Sequence, residues 1–185
     1  QPADTSLPSL VTAALSSPSS EIKRPLASLS FAANYLVTGI DPYGMKLTNL
    51  VIHLLNGLLV FLLASALLRS VPADQNPHAG IIAALIASAW MLLALNLTGV
   101  LYVVQRMESM ANLFVLLGLI GYATGRQRML RESAGGWRGL LLCAFSLATA
   151  TLAGLLAKET AVMLPLYAAL VEWIVFGFAR ADGKI

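Results

Sequence analysis

The chain has 185 residues, 58% of them hydrophobic and 11% charged, with 12 Lys and Arg against 9 Asp and Glu for a formal net charge of +3. A soluble domain carries about 25% charged residues, so with a mean hydropathy of +0.77 this composition excludes an ordinary soluble domain and reads as an integral membrane protein. The small basic excess points to no nucleic-acid partner, because Lys and Arg fall at the ends of apolar blocks, as topology determinants do, without a basic stripe and interleaved aromatics.

The first 46 residues are the least apolar part. The chain starts at Gln1 with neither an initiator Met nor a basic-then-apolar signal, so it reads as part of a longer protein or as a processed one. Ser16-Ser-Pro-Ser-Ser20 is loop composition. Leu26 to Ile40 reads as a moderately apolar helix carrying Ser28, Ser30, Asn34 and Thr38, too short for a span and expected to lie at the membrane interface.

A transmembrane helix needs about 20 apolar residues. Five stretches qualify, near residues 48–68, 79–96, 108–125, 137–157 and 160–179. The expected fold is therefore all-α: a polytopic transmembrane helical bundle with an amino-terminal interfacial helix. Residues 1–46 form an extracytoplasmic loop in this reading, 47–180 the membrane domain and 181–185 a cytoplasmic end. Pro72-Ala-Asp-Gln-Asn-Pro77 separates the first two spans, and Gly125 to Trp137, with Arg126, Arg128, Arg131, Glu132 and Gly135-Gly136, separates the third and fourth. Pro165 is expected to kink the last span and to be the one interruption within a span. Gly121 with Gly125, and Ser146, Ala150 and Gly154, repeat every four residues and should let helices approach closely.

Basic residues set the orientation. Arg69, Arg126, Arg128, Arg131, Arg138, Arg180 and Lys184 fall on one side of the five spans, and Lys23, Arg24, Lys46, Arg106 and Lys158 on the other. The arginine-rich loop is read as cytoplasmic, which places the Arg106 and Lys158 segments on the extracytoplasmic face.

Two polar islands interrupt the apolar chain: Gln105-Arg106-Met107-Glu108-Ser109 and Lys158-Glu159-Thr160. Charges next to hydrocarbon sit at interfaces, in water-filled cavities or at functional sites. Gln105, Glu108 and Asn112 share one helix face. Arg106 has the planar fork that grips phosphate, or it is a topological anchor with Glu108 beside it. Lys158 and Glu159 either fill a tight turn or serve a ligand. In the first span Asn49, His53 and Asn56 recur at i, i+4 and i+7, a stripe that reads as helix-to-helix glue or as the lining of a ligand site. Glu172 is protonated, paired or near the cytoplasmic interface, and the interfacial position is the one expected. Cys143 lies in an apolar run without a disulfide partner, and two histidines without partner cysteines give no metal-ligand spacing.

Read in order, Arg24-Pro-Leu-Ala-Ser-Leu-Ser-Phe31, Gly39-Ile-Asp-Pro42, Lys46-Leu-Thr-Asn-Leu-Val-Ile-His-Leu-Leu-Asn-Gly57, Leu101-Tyr-Val-Val-Gln-Arg-Met107 and Ala157-Lys-Glu-Thr160 resemble bacterial membrane proteins related to the tetratricopeptide-repeat O-mannosyltransferases, which have the GT-C glycosyltransferase fold. The resemblance runs from about Arg24 to Trp173. It implies a multi-pass enzyme of the bacterial inner membrane that transfers a sugar from a polyprenyl-phosphate carrier to a protein or glycan acceptor on the extracytoplasmic face. It also implies a catalytic acid in an Asp-Asp-type motif of a first extracytoplasmic loop; Asp4, in Pro2-Ala-Asp-Thr5, does not match, so that acid is expected upstream of Gln1 in the rest of a parent protein. On this reading the chain alone is inactive, Arg24, Arg106 and Lys158 bind the lipid phosphate, and Glu108 and Glu159 support them. The competing expectations are a non-catalytic membrane module of a transporter or assembly scaffold, and a lipid-linked glycan ligase.

Overall fold

The computed structural model describes residues 24–70, 76–131 and 136–178, together with Pro8 and Thr12. Asp4, the Ser16–Ser20 segment, Lys23, most of the Pro72–Pro77 turn, Glu132, Gly135, Arg180, Lys184 and the expected cytoplasmic end at 181–185 lie outside the described residues.

Helix α1, Pro25–Thr38, opens on a proline whose missing N–H is no loss at a helix start, and it ends at Gly39, whose φ of 65° ordinary residues disfavour. Its 14 residues measure about 21 Å, short of the roughly 30 Å of hydrocarbon. Helix α2, Pro42–Leu68, starts six residues before the expected span: Asp41 caps it by accepting from the Tyr43 and Gly44 N–H groups, and Pro42 occupies the first turn. The expected boundary at 46/47 thus falls inside a helix.

The second span differs from expectation. Helix α3, Ala79–Leu92, and helix α4, Ala94–Leu101, meet at Leu93, which is extended (φ −59°, ψ 126°), and the chain bends there by 58°. The interruption sits at a leucine. Pro165 instead occupies the first turn of a helix, where proline is tolerated. A 3-10 turn, Val103–Gln105, leads into α5, Arg106–Arg131. Helix α6, Trp137–Leu155, runs back beside it, and the chain returns through a 3-10 turn, Glu159–Met163, helix α7, Leu164–Val171, and a π-helical turn, Glu172–Phe176. Four of these segments are long and apolar enough to cross a membrane, and five if α3 and α4 count as one bent span.

The packing is inside out relative to a soluble protein. Asn49, Asn56 and Arg106 are fully buried, while Leu58, Leu85, Phe145 and Ile174 stand on the outside. Water would oppose this arrangement and hydrocarbon favours it. The interior is built from small residues. A Cβ on Gly121 would meet Ser146 Cβ at 2.5 Å, and one on Gly125 would meet Cys143 Sγ at 2.5 Å and the Gly139 carbonyl at 2.7 Å, so the expected close approach is the α5–α6 seam. A core of Ala111, Val115, Leu119, Ala150, Ala157, Ala161, Leu164 and Ala168 continues it toward the last span.

Candidate functional site

The polar stripe of α2 organises one end of the bundle. A break in a helix frees carbonyls, and in a dry interior each needs a donor. Asn96 Nδ2 donates to the Trp90 carbonyl at 2.7 Å, and His53 Nε2 lies 3.2 Å from the Met91 carbonyl; both carbonyls lose their i+4 helical partner at the bend at Leu93. A carbonyl can only accept, so this contact is a hydrogen bond in the tautomer with the proton on Nε2. The His53 ring also stacks on Trp90, with centroids 5.5 Å apart. Asn49 Nδ2 donates to the Tyr102 carbonyl at 3.3 Å, just before the 3-10 turn, and Asn56 Nδ2 donates to the Ser109 carbonyl at 2.8 Å. The stripe is therefore helix-to-helix glue.

The same bend opens a cavity of about 450 Å³, lined by His53, Asn56, Trp90, Leu95, Asn96, Thr98, Gly99, Gln105, Glu108, Ser109, Asn112 and Lys158. Two residues of the stripe, His53 and Asn56, thus also border this cavity, and Asn56 Oδ1 is buried without a hydrogen-bond partner. Gln105, Glu108 and Asn112, grouped on one helix face by their spacing, all line this cavity.

The expected site residues divide into three placements. Lys158 forms an ion pair with Glu108 at the cavity wall, and both side chains are partly exposed. Arg24 pairs with Glu159 through two bonds, Nε to Oε1 at 3.1 Å and Nη2 to Oε2 at 2.8 Å, beside the cavity-bearing segments and also partly exposed. The backbone joins the same corner, because the Leu26 N–H donates to the Leu156 carbonyl at 3.0 Å and ties α1 to the far end of α6.

Arg106 departs from expectation. It is fully buried, with Nε donating to Asn49 Oδ1 at 2.8 Å, Nη1 to the Ser30 carbonyl at 3.2 Å and Nη2 to the Met45 carbonyl at 2.9 Å, while Phe31 lies beneath its Cζ at 4.6 Å. Enclosed in this way, the guanidinium fastens α1, α2 and α5 together and has no face open to a lipid phosphate. Nor is Glu108 its ion-pair partner, since that carboxylate is drawn to Lys158.

At the opposite end Glu172 is paired, one of the three states open to a carboxylate there. Arg126 donates to it twice, Nε to Oε2 at 2.7 Å and Nη2 to Oε1 at 2.5 Å, and the Tyr122 hydroxyl donates to Oε2 at 2.6 Å. Arg126, expected in a loop, belongs to α5, which runs on to Arg131. The cavity residues Trp90 and Asn96 escaped the sequence reading; an asparagine at the end of an apolar run was the signal for Asn96. Among the described residues no group of three or more His, Cys, Asp or Glu side chains is arranged to hold a metal ion.

Comparison with known proteins adds one relative. No protein-family model matches the chain, and no solved structure matches it. Over 139 residues it is 33% identical to "Protein O-mannosyl-transferase Tmtc1" of Drosophila melanogaster, an alignment that covers 75% of this chain and 14% of that protein. The chain, a helical bundle with four to five membrane-length segments, is thus similar to a small part of an O-mannosyltransferase from an animal.

Proposed function

We propose that the chain is part of a membrane glycosyltransferase that transfers a sugar from a polyprenyl-phosphate donor to a protein or glycan acceptor. The observation that carries this reading is the cavity under the bent span. Gln105 and Asn112, with Asn96, line it beside Trp90, a combination that suits a sugar with hydroxyls at its rim and C–H groups on its face. Lys158 supplies a cation at the wall where a departing lipid phosphate gathers charge, with Arg24 as a second, partly exposed cation at the same end. Glu108 and Glu159 hold these cations in place through their ion pairs. Arg106 in this scheme keeps the end of the bundle rigid.

The finer parts of the reading, a GT-C fold, a polyprenyl-phosphate donor, an extracytoplasmic active face and a bacterial inner membrane, rest on the resemblance of the motifs. No catalytic acid is assigned to this chain. A second reading, a non-catalytic transporter module, is favoured by one observation, the bend at Leu93, since transporters place binding sites at broken spans.

The test uses a full-length protein that contains this chain, supplied with polyprenyl-phosphate mannose. Transfer of the sugar, reduced about tenfold or more by Lys158→Ala and by Asn112→Ala, is expected. Unchanged transfer in both variants removes the cavity from the reaction. Movement of a solute across proteoliposomes without any transfer supports the transporter reading.

A further inference from the structure

A second cavity, of about 570 Å³, lies at the end of the bundle away from Lys158. Two arginines line it, Arg69 after the last turn of α2 and Arg131 at the last residue of α5. Either alone has an ordinary explanation, because a cation at a helix C-terminus offsets the dipole and basic residues fix topology. Together they bring like charges to one cavity, in whose lining no carboxylate appears among the described residues. Ala79, the first residue of α3, and Asn76, whose carbonyl accepts from the Ala79 N–H at 3.3 Å, complete the rim. The Gln127 side chain is held by the Ala66 carbonyl and Ser70 Oγ, which fixes the polar floor. Val175 and Phe176 provide an apolar wall on the remaining side.

We infer that this cavity is a binding site for the phosphate of an anionic phospholipid: the two arginines take the headgroup, and the apolar wall takes the upper part of an acyl chain. A soluble phosphate would satisfy the cations and leave Val175 and Phe176 unused, which is why the lipid is the occupant assigned. The proposal is independent of the sugar cavity at the other end.

The test reconstitutes the protein in phosphatidylcholine nanodiscs doped with phosphatidylglycerol and measures the lipid retained on extraction by native mass spectrometry. Wild-type protein is expected to retain phosphatidylglycerol selectively. Arg69→Gln and Arg131→Gln are each expected to lower that selectivity about fivefold. Both residues are exposed, so the variants should fold, and an unchanged melting temperature checks that they have. Arg138→Gln is the control, since Arg138 is an exposed arginine that lies over Trp137 and outside the cavity lining. Equal retention by the Arg69/Arg131 double variant overturns the site, and an equal loss in Arg138→Gln overturns it in favour of diffuse surface charge. Inorganic phosphate that raises the melting temperature in lipid-free detergent as much as phosphatidylglycerol does overturns the lipid assignment in favour of a soluble anion.

Discussion

Arg106 Nε donates to Asn49 Oδ1 at 2.8 Å, and both side chains are sealed inside the bundle. The asparagine is there to receive a guanidinium from a helix 57 residues away, and its amide in turn steadies the Tyr102 carbonyl. Removing the arginine leaves Asn49 Oδ1 without its donor and takes a second donor from the Ser30 and Met45 carbonyls, which lie inside α1 and α2. Arg106→Ala is therefore expected to destabilise the protein by about 3 kcal/mol or more, and Asn49→Ala by less. In the double variant the losses should fall short of their sum by roughly 1 kcal/mol or more, as for residues sharing one network. Chemical denaturation in detergent micelles measures the cycle, and strict additivity would remove the coupling.

The Arg126–Glu172 pair gives the opposite expectation for a double replacement. Glu172→Gln strands a charge beside Tyr122 and Phe176 and should cost about 3 kcal/mol. Arg126→Met combined with Glu172→Leu removes both charges and should recover most of that loss, because desolvating an ion pair offsets much of its attraction. Melting temperatures of the single and double variants decide it, and a double variant worse than Glu172→Gln would contradict the argument.

The α5–α6 seam predicts a contrast between glycines. Gly125→Ala drives a methyl group against the Gly139 backbone carbonyl and the Cys143 sulfur, and overpacking of this kind costs about 1–3 kcal/mol. A Cβ on Gly80 has open space within 4 Å, so Gly80→Ala should be neutral or slightly stabilising. Thermal melting of the two variants in the same detergent makes the comparison, and equal tolerance would mean that the helices separate easily.

Trp90 offers a readout of the sugar cavity. The chain has 3 tryptophans, so with Trp137 and Trp173 replaced by Phe the remaining emission comes from the cavity wall. A short-chain polyprenyl-phosphate mannose is expected to shift that emission on binding. Gln105→Ala and Asn112→Ala should each weaken the response about twofold to tenfold, the range for one neutral hydrogen bond. No response at saturating probe would separate the cavity from the sugar.

Much of this architecture was readable from residue spacing. The i, i+4, i+7 pattern of Asn49, His53 and Asn56 put three side chains on one face, and all three turned out to bind neighbouring backbone. The small-residue repeats marked the seam. The bend at Leu93 was hidden because Trp90 to Leu95 contains neither proline nor glycine. What breaks the helix there is tertiary: Asn96 and His53 accommodate the freed carbonyls, and no local propensity encodes their meeting. The placement of Arg106 was missed for the same reason, since its three acceptors come from Ser30, Met45 and Asn49. Charge sequence suggested Glu108 as its neighbour, whereas folding delivered Lys158 to that carboxylate.

The corner where Arg24 meets Glu159 joins positions 135 residues apart. During synthesis α1 emerges long before its acceptor exists, and α2 to α6 must be made before that latch can close. Contacts of such separation form late, after the local hairpins. A chain arrested before Leu156 would accordingly hold its earlier spans without the corner that binds α1 to them.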